Sequence, residues 1–329
     1  MRNGVKYAEL KADNDSNPEI SMTASAEIKM TFTGKFEQNP SINFFTDRLQ
    51  PWLFMDDGKK YPLGKYIITD MQPYTTASGR ALADYTAYDL CYLLSTSTTE
   101  NRYFIEAGTR YTDAVQSLLI ECGIQDFFIT PSQEVLRTNR EDWEPGTSRI
   151  EICNDLLKEI NYNSVYMDLQ GNICCTPYRQ ASAQNIDHTY KVDRFSLLYP
   201  ETSQVLDYFN RANVFIRVVE DAETDEPIRA VSVNDDPSNA FSVPNQKRRV
   251  VDYDTLSNIA NQEALQAYVD NLRFKSLLST VETEFSTGPN PLHQPFSVVA
   301  LEMEPQSGIY AETAWSMSLA PPWKMKHTG

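Results

Sequence analysis

The sequence lacks the patterns that mark most enzyme families and metal centres. Its 329 residues include only three histidines, His188, His293 and His327, which are far apart in the chain and in turn-like or terminal contexts. It contains no zinc-protease HExxH motif, no nucleophile elbow of serine hydrolases, no phosphate-binding Walker loop and no dinucleotide-binding glycine motif. The sequence therefore predicts no catalytic residue, no cofactor-binding residue and no metal ligand, and it predicts that the protein is not an enzyme.

Cysteine is scarce, and its spacing does not suit a metal site. The five cysteines are odd in number and include no Cys-x-x-Cys pair of the kind that binds zinc. Cys122 and Cys153 fall on the apolar faces of predicted helices, where a thiol behaves as a small hydrophobe. Cys174 and Cys175 are neighbours in a predicted strand, so they point to opposite faces. We expect folding in a reduced, cytoplasmic compartment.

Long apolar runs and an excess of positive charge are also missing. No run of 18 apolar residues occurs, and the start, Met1 to Lys6, leads into polar sequence rather than a signal peptide. We therefore expect a soluble chain that does not insert into a membrane. The formal net charge of −16 disfavours wrapping around nucleic acid, because such binding relies on Lys and Arg contacts to phosphate. A negative surface instead lets a polyanion pass without sticking.

Residues 1–95 carry mainly β patterns. Strands are predicted at Glu27–Thr33 (ended by Gly34), Ser41–Phe45, Leu49–Met55, Lys65–Met71 and Ala81–Tyr88. The predicted strands Leu49–Met55 and Lys65–Met71 lie on either side of Asp56-Asp57-Gly58-Lys59, and this composition favours a tight hairpin turn. Turn chemistry explains Asp56 and Asp57 better than a metal or acid–base pair does. The region is predicted to be an antiparallel meander or small barrel.

Residues 96–189 mix helix and strand and are predicted to form a small α+β insertion. A helix at Thr112–Cys122 ends at Gly123, and a strand follows at Phe127–Thr130. Ser148 and Glu151 form a capping-box signature before a second helix that stops at Asn161. The remaining predictions are an exposed connection over residues 131–146 and a hairpin of Val165–Leu169 and Asn172–Thr176, turning at Gln170-Gly171.

The β character returns over residues 190–329. A hairpin of Asn213–Val219 and Ile228–Val233 flanks an acidic loop over residues 220–227, which we interpret as solvated. The other predicted elements are a helix at Thr255–Ser279 and strands at Thr280–Ser286, Ser297–Glu304 and Tyr310–Leu319. The predicted fold class is thus α+β and β-rich.

Paired glutamates and aromatic residues leave two alternative functions open. Glu282 with Glu284, and Glu302 with Glu304, could serve a cell-wall or carbohydrate hydrolase, whose mechanism needs two carboxylates across a cleft. Carboxylates two apart on a strand point the same way, however, and are expected to line a wet surface. A glycan-binding module could rest on exposed aromatic rings; the tryptophans are Trp52, Trp143, Trp315 and Trp323.

Several motifs, taken in order, resemble the baseplate hub or tail-tip hub proteins of tailed bacteriophages and related contractile injection systems, particularly those of Gram-positive bacteria. The carrying stretches are Tyr61-Pro62-Leu63-Gly64-Lys65-Tyr66-Ile67-Ile68, Tyr85-Thr86-Ala87-Tyr88-Asp89, Gly108 to Asp113 with Cys122-Gly123-Ile124, Ile150 to Leu157, Gly171-Asn172, Thr176-Pro177-Tyr178, Ser307-Gly308-Ile309-Tyr310 and Trp315 to Leu319. The stretch at Phe296 departs from that pattern, because a Gly-Asp-like turn is expected before the strand.

The resemblance implies two barrel-like tube domains, over residues 1–95 and 190–329, with residues 96–189 outside them. It implies a homotrimer whose six barrels form a pseudo-sixfold ring between the hexameric tail tube or distal tail protein and a threefold spike or tip protein. DNA or a tape-measure protein would pass through the lumen, lined by acidic strand faces such as those of Glu282, Glu284, Glu302 and Glu304. The expected location is the virion tail, assembled in the bacterial cytoplasm, and no room is expected after the last strand for a cell-wall hydrolase.

Overall fold

The computed structural model describes residues 1–2, 4–13, 16–55, 58–192, 198–199, 202–206, 211–219, 227–278, 281–304 and 306–329. Side chains are described for all of these except 204–206, 278 and 281–282. No helix within these ranges is long and apolar enough to cross a membrane. Strands outnumber helices throughout, so the α+β, β-rich fold class is confirmed.

The elements follow one another in the order below. Up to residue 96 they are β1 Glu19–Thr23, β2 Met30–Glu37, β3 Trp52–Phe54, β4 Lys60–Pro62, β5 Tyr66–Thr75, β6 Ala81–Asp89 and α1 Cys91–Thr96. The middle contains β7 Tyr103–Ile105, α2 Tyr111–Glu121, β8 Phe127–Ile129, β9 Arg140–Trp143, α3 Arg149–Glu159, β10 Tyr166–Met167 and β11 Ile173–Cys175. The remainder contains β12 His188–Lys191, β13 Ser203–Leu206, β14 Val214–Val219, β15 Ile228–Val233, α4 Val243–Gln246, β16 Val251–Leu256, α5 Gln262–Leu278, β17 Val281–Thr287, β18 Val298–Glu302, β19 Gly308–Ala311, β20 Ala314–Ser318 and β21 Met325–Thr328.

One eight-stranded sheet joins the two ends of the chain. Its strand order is β13-β17-β21-β20-β1-β2-β6-β5. The join is the antiparallel pairing of β1 with β20, in which Glu19 lies opposite Ser318 and Thr23 lies opposite Ala314. The strands of the two proposed tube domains therefore share one sheet. Within the described ranges this sheet is open, with β13 and β5 at its ends, and no closed barrel is present.

The two faces of the eight-stranded sheet differ in chemistry, as expected for an antiparallel sheet with one face on a core. One face is apolar and buried, and near the β1–β20 join it carries Ile20, Met22, Trp315 and Met317. The opposite face, here called the polar face, is rich in hydroxyl side chains. Its polar members are Ser203, Glu284, Ser286, Lys326, Thr328, Ser316, Ser318, Glu19, Ser21, Thr23, Thr31, Thr33, Lys35, Glu37, Thr86, Asp84, Asp70 and Gln72. The same face also carries Ala314 and, on β5 and β6, Ile67, Tyr74, Leu82 and Tyr88, of which Ile67 and Leu82 are buried.

The middle region follows its local sequence signals closely. Helix α2 ends with Gly123 at φ +75°, and the α3 N-cap Ser148 accepts a hydrogen bond from the Glu151 amide, as the capping box predicted. The β10–β11 hairpin and β8 pair in one sheet, with Gly171 at φ +85° in the turn. Residues 131–146, however, are not a wholly exposed connection. They contain β9, in which Arg140 and Trp143 are buried.

In the first region three strand predictions need correction. Gly34 does not end its strand but lies inside β2, at a position where a side chain would collide with the Phe36 ring. Residues 41–45 form turns rather than a strand. The hairpin turn over Gly58 is present, at φ +80°, but β3 pairs with β4, whereas residues 66–75 belong to β5 and pair with β6. Asp56 and Asp57 lie outside the described residues.

The last region departs from prediction in its boundaries. The helix begins at Gln262 rather than Thr255, since Thr255 and Leu256 belong to β16 and pair with β14. The predicted strand over residues 310–319 is interrupted at Glu312 and Thr313, which separates β19 from β20. The sequence patterns did not predict β1 or β21, although both lie inside the eight-stranded sheet.

Candidate functional site

A cluster of three coordinating side chains lies where the eight-stranded sheet meets the β12–β18–β19 sheet. His293 comes from the loop between β17 and β18, Glu312 from the break between β19 and β20, and His327 from β21. In β21, alternation places Met325 and His327 on the buried face and Lys326 and Thr328 on the polar face. The side chains of His293, Glu312 and His327 are buried, each with no exposed surface. We call these three residues the His–Glu–His cluster.

The Glu312 carboxylate lies between the two imidazoles. Its Oε1 is 2.5 Å from His327 Nδ1, and its Oε2 contacts His293 Nε2 directly. The outward nitrogen of each ring meets a hydroxyl group. His327 Nε2 is 2.8 Å from Thr287 Oγ1, and His293 Nδ1 is 3.3 Å from the Tyr190 hydroxyl.

The surroundings of the cluster shift the pKa of each of its three groups so that the uncharged form is favoured. Burial raises the pKa of Glu312 to about 7. Burial also lowers the pKa of His293 to about 3, and it lowers the pKa of His327 although the Glu312 hydrogen bond opposes this shift. The arrangement can share a proton between carboxyl and imidazole, or it can present two nitrogens and one oxygen to a cation; one ligand atom from each residue lies within 4.8 Å of the others.

Aromatic rings and the third histidine enclose the cluster. The His188 ring stacks on His293 with centroids 4.8 Å apart, and Phe285 stacks on His327 at 4.6 Å. Trp315 meets His293 edge to face. His188 also lines a groove of about 580 Å³ between the middle region and the 292–297 loop. The cluster is therefore buried, and the His188 ring contacts both His293 of the cluster and the surface groove.

The three histidines, scattered in the sequence, thus converge in space. Their convergence was not predicted, because β21 was not predicted and Glu312 was expected inside a continuous strand. One usable signal existed. The alternation Met325-Lys326-His327-Thr328 has the period of a strand with one buried face, and it places His327 on the side of Met325.

The paired glutamates do not form an opposed pair across a cleft in the described ranges. Glu302 ends β18 and Glu304 lies in the following turn, so they do not share a strand face as predicted. Glu284 is exposed on the polar face, where the Ser203 hydroxyl donates to its Oε2 at 2.9 Å. The Glu282 side chain and the acidic loop over residues 220–226 lie outside the described residues. This placement gives the hydrolase hypothesis no support.

The tryptophans divide between core and surface. Trp143 and Trp315 are buried, whereas Trp52 and Trp323 are 45% and 44% exposed. All five cysteines are free thiols, and Cys174 and Cys175 are both buried. Nothing in these positions assembles a stacked aromatic platform or a cysteine-based site within the part of the chain that the structure describes.

Comparison by sequence finds no relative: no family model and no curated protein matches the chain. Comparison by structure, in contrast, finds similar proteins. A tail protein from Neisseria meningitidis MC58 is 13% identical with a TM-score of 0.70, covering 99% of this chain and 94% of that one. The 43 kDa tail protein of prophage MuSo2 from Shewanella oneidensis is 12% identical with a TM-score of 0.67, covering 97% and 96%.

A third solved structure extends the comparison to secretion systems. The Escherichia coli c3393 protein is 11% identical with a TM-score of 0.59, covering 100% of this chain and 75% of that one. That protein is a component of the type VI secretion system with structural similarity to the bacteriophage T4 tail proteins gp27 and gp5. The chain therefore has the fold of phage tail proteins over nearly its whole length, which confirms the resemblance at the level of fold.

Proposed function

We propose that this protein is a structural hub of a phage or phage-like tail, located at the baseplate or tail tip. The observation that carries the proposal is the similarity to a tail protein from Neisseria meningitidis across 99% of the chain, with 94% of that protein covered. A match of this extent includes both β-rich flanks and the middle region. It is more specific than a shared single sheet, although function does not follow from fold alone.

The domain layout belongs to the same proposal. Residues 1–95 and 190–329 form the tube-building part, and residues 96–189 decorate it. The pairing of β1 with β20 supports this division, because it holds the two flanks in one sheet while the middle region adds no strand to that sheet. In the assembled hub, three copies contribute six such β-rich units to a pseudo-sixfold ring around a channel. The ring joins the hexameric tail tube or distal tail protein to the threefold spike or tip protein.

The polar face of the eight-stranded sheet supplies the channel surface in this proposal. It combines hydroxyl groups with a few charges of both signs, such as Glu284, Lys326, Asp84 and Lys35. A surface of this kind is wet and offers no basic stripe to hold phosphates. DNA or an extended tape-measure protein can slide past it. The role is structural rather than enzymatic.

Native mass spectrometry tests the assembly. The chain is measured alone and after co-expression with the neighbouring tube and spike proteins of its own tail cluster. We expect three copies per complex, formed either by the chain alone or only with its partners, because ring contacts can depend on a template. A chain that stays monomeric in both conditions would contradict the hub.

Charge placed on the polar face tests the channel. Ser21→Lys with Thr33→Lys adds two cations at exposed or half-buried positions in the middle of the face. We expect assembled particles with slowed genome or tape-measure release, since the cations bind the passing polyanion. Ser117→Lys, at an exposed position on α2, is the matched control and should leave release unchanged. Equal release by wild-type, double-variant and control particles would contradict the proposal that the polar face lines the channel.

A further inference from the structure

We propose that the His–Glu–His cluster binds one divalent transition-metal ion, with Zn²⁺ the best match. The ion would tie the 288–297 loop, the β19–β20 break and strand β21 together at a single point. This inference concerns the chain's own construction and does not depend on the tail-hub proposal.

The donor set selects the type of ion. His293 and His327 offer imidazole nitrogens and Glu312 offers a carboxylate oxygen. Nitrogen donors favour zinc and its neighbours over Mg²⁺ and Ca²⁺, which prefer all-oxygen sites. Ligand atoms of a tetrahedral zinc ion, with bonds of about 2.0–2.1 Å, lie about 3.3 Å apart. Rotation of the Glu312 carboxylate away from the imidazoles by roughly 1 Å would open that space.

The hydroxyl groups behind the imidazoles orient them for coordination. Thr287 Oγ1 donates its proton to the Gly288 carbonyl at 2.9 Å, so at 2.8 Å it must accept a hydrogen bond from His327 Nε2–H. The lone pair of His327 then lies on Nδ1, directed at the centre of the cluster. The Tyr190 hydroxyl accepts a hydrogen bond from the Asn290 amide at 3.0 Å and lies 3.3 Å from His293 Nδ1, so it holds the orientation of that ring. In the metal-bound form the Nδ1 proton of His293 would face this hydroxyl and leave Nε2 free for the ion. Metal-bound histidines are held by outer contacts of this kind.

The charge balance also calls for a cation. Glu312 has no lysine or arginine ion-pair partner among the described residues, where its carboxylate contacts His293 and His327. A buried carboxylate is costly unless a cation or a proton neutralises it. A divalent ion coordinated by the two imidazoles would supply that charge at the point where three chain segments meet. An ion could enter past His188, which borders the surface groove.

Without an ion the same residues can form a closed hydrogen-bonded chain. His293 Nε2–H would donate to Glu312 Oε2, a protonated Oε1 would donate to His327 Nδ1, and His327 Nε2–H would donate to Thr287. This metal-free network is the competing outcome. The two arrangements differ in one measurable quantity, the metal bound per chain.

The experiment measures metal content and heat stability of the full chain. Protein produced with added zinc and purified without chelators is analysed by inductively coupled plasma mass spectrometry. We expect about one zinc per chain and a melting temperature that falls when EDTA removes it and recovers when ZnCl₂ is restored. Glu312→Gln and His327→Gln should each lose most of the zinc. His188→Gln, which alters the stacked ring outside the cluster, should keep it.

A second measurement covers the case in which those variants fail to fold. Stripped wild-type chain is titrated with CoCl₂, and the visible absorption of the bound ion is recorded. Intense tetrahedral-type bands reaching a plateau at one equivalent, and displaced by ZnCl₂, support the site. Wild-type protein that carries no stoichiometric metal, shows no such bands and melts at the same temperature with EDTA and with ZnCl₂ would overturn it in favour of the metal-free network.

Discussion

The middle region and the β-rich flanks are built from contacts of different range. In the middle, β10 pairs with β11 across a short turn, and α2 packs on α3. In the flanks, β1 is paired on one side with β2, which is near it in sequence, and on the other with β20, which comes from the far end of the chain. The fold of the middle region is therefore specified largely by residues near one another in sequence. The fold of the flanks depends on pairing between strands from the two ends of the chain.

The two parts nevertheless share a core. Ile152, Leu156 and Leu157 of α3 belong to the same buried cluster as Met22 of β1 and Met317 of β20. The middle region is therefore locally encoded without being a separate hydrophobic unit. Mutations can sharpen this distinction by showing whether damage stays local or spreads along the eight-stranded sheet.

The largest effect is expected in the middle region, at its buried ion pair. Arg140 Nη1 donates to both Glu159 oxygens at 2.7 and 2.8 Å, and both side chains are buried. Burial raises the pKa of Glu159, and Arg140 opposes that rise. Among the described residues, Glu159→Ala leaves the half-exposed Asp142 as the ion-pair partner of the Arg140 charge. We expect a loss of about 3–5 kcal/mol in the free energy of unfolding, measured by urea titration.

A surface pair from the same region provides the control. Arg149 and Glu121 form an ion pair at 3.3 Å, with the Glu121 side chain 44% exposed. Glu121→Ala should cost less than about 1 kcal/mol, because water screens such pairs. Equal losses for Glu121→Ala and Glu159→Ala would mean that burial of the Arg140 pair does not set its importance.

The next effect tests closure of the long sheet. Met22 of β1 is 1% exposed and lies opposite Met30 on β2 and Trp315 on β20. Met22→Ala should lower the free energy of unfolding by about 2–4 kcal/mol through lost burial and a residual cavity. Hydrogen exchange should show loss of amide protection in β20 as well as in β1 and β2.

The matched variant for that test lies in the middle region. Leu156→Ala removes a fully buried side chain of similar size from α3. Its loss of protection should centre on α3 and the neighbouring α2 rather than reach β20. If both variants expose the same amides, the chain opens as one unit and the distinction between local and long-range construction does not hold.

A smaller loss of stability is expected when the N-cap of helix α3 is removed. Ser148→Ala removes the side-chain oxygen that accepts from the Glu151 amide. We expect a loss of about 1 kcal/mol in urea titration, typical of a missing N-cap. Ser117→Ala, at an exposed site inside α2, should change stability by less than about 0.5 kcal/mol. A cost at Ser117 equal to that at Ser148 would show that the capping geometry contributes nothing.

Sequence patterns predicted the locally encoded elements and strands such as β17 and β18, but they missed β1 and β21. The α3 capping box, the Gly123 helix end and the Gly171 turn were all confirmed because each depends on residues within one turn of itself. Strand β1, with only five residues, was not predicted because its pairing is completed by β20 at the other end of the chain. Residues 140–143 were assigned to a loop because the alternation that marks strands is absent there.

The candidate site was less predictable than the fold. His293 lies in a loop and Glu312 lies at a strand break, and at neither position does a hydrophobic periodicity predict that the side chain is buried. Their proximity to His327 arises only when β17, β20 and β21 pair, since Phe285 and Trp315 lie directly opposite His327 on either side. A site assembled from three such segments leaves almost no local trace. The alternation around His327 was the one exception.

The smallest effect concerns pH and a contact inside the first flank. Arg2 donates to both Asp47 oxygens at 2.7 and 2.8 Å, and the Asn43 amide adds a third hydrogen bond at 2.9 Å. The Arg2 hydrogen bond lowers the pKa of Asp47 to about 2, below its ordinary value of 3.8. Because the folded pKa is the lower one, the stabilisation is complete from about pH 5 upward and is lost progressively as the pH falls through 3.8 toward 2.

Comparison with Asp47→Asn isolates this contribution. The difference in free energy of unfolding between wild type and variant should be constant from pH 7 to about pH 5 and shrink progressively at lower pH. The contact joins residues that are moderately distant in sequence, so it should affect the first flank without altering protection in α3. A difference that stayed constant down to pH 2.5 would mean that the pKa of Asp47 is the same in the folded and unfolded chain. The Arg2 contact would then be too weakly populated in solution to hold the N-terminal segment against the 43–47 turn.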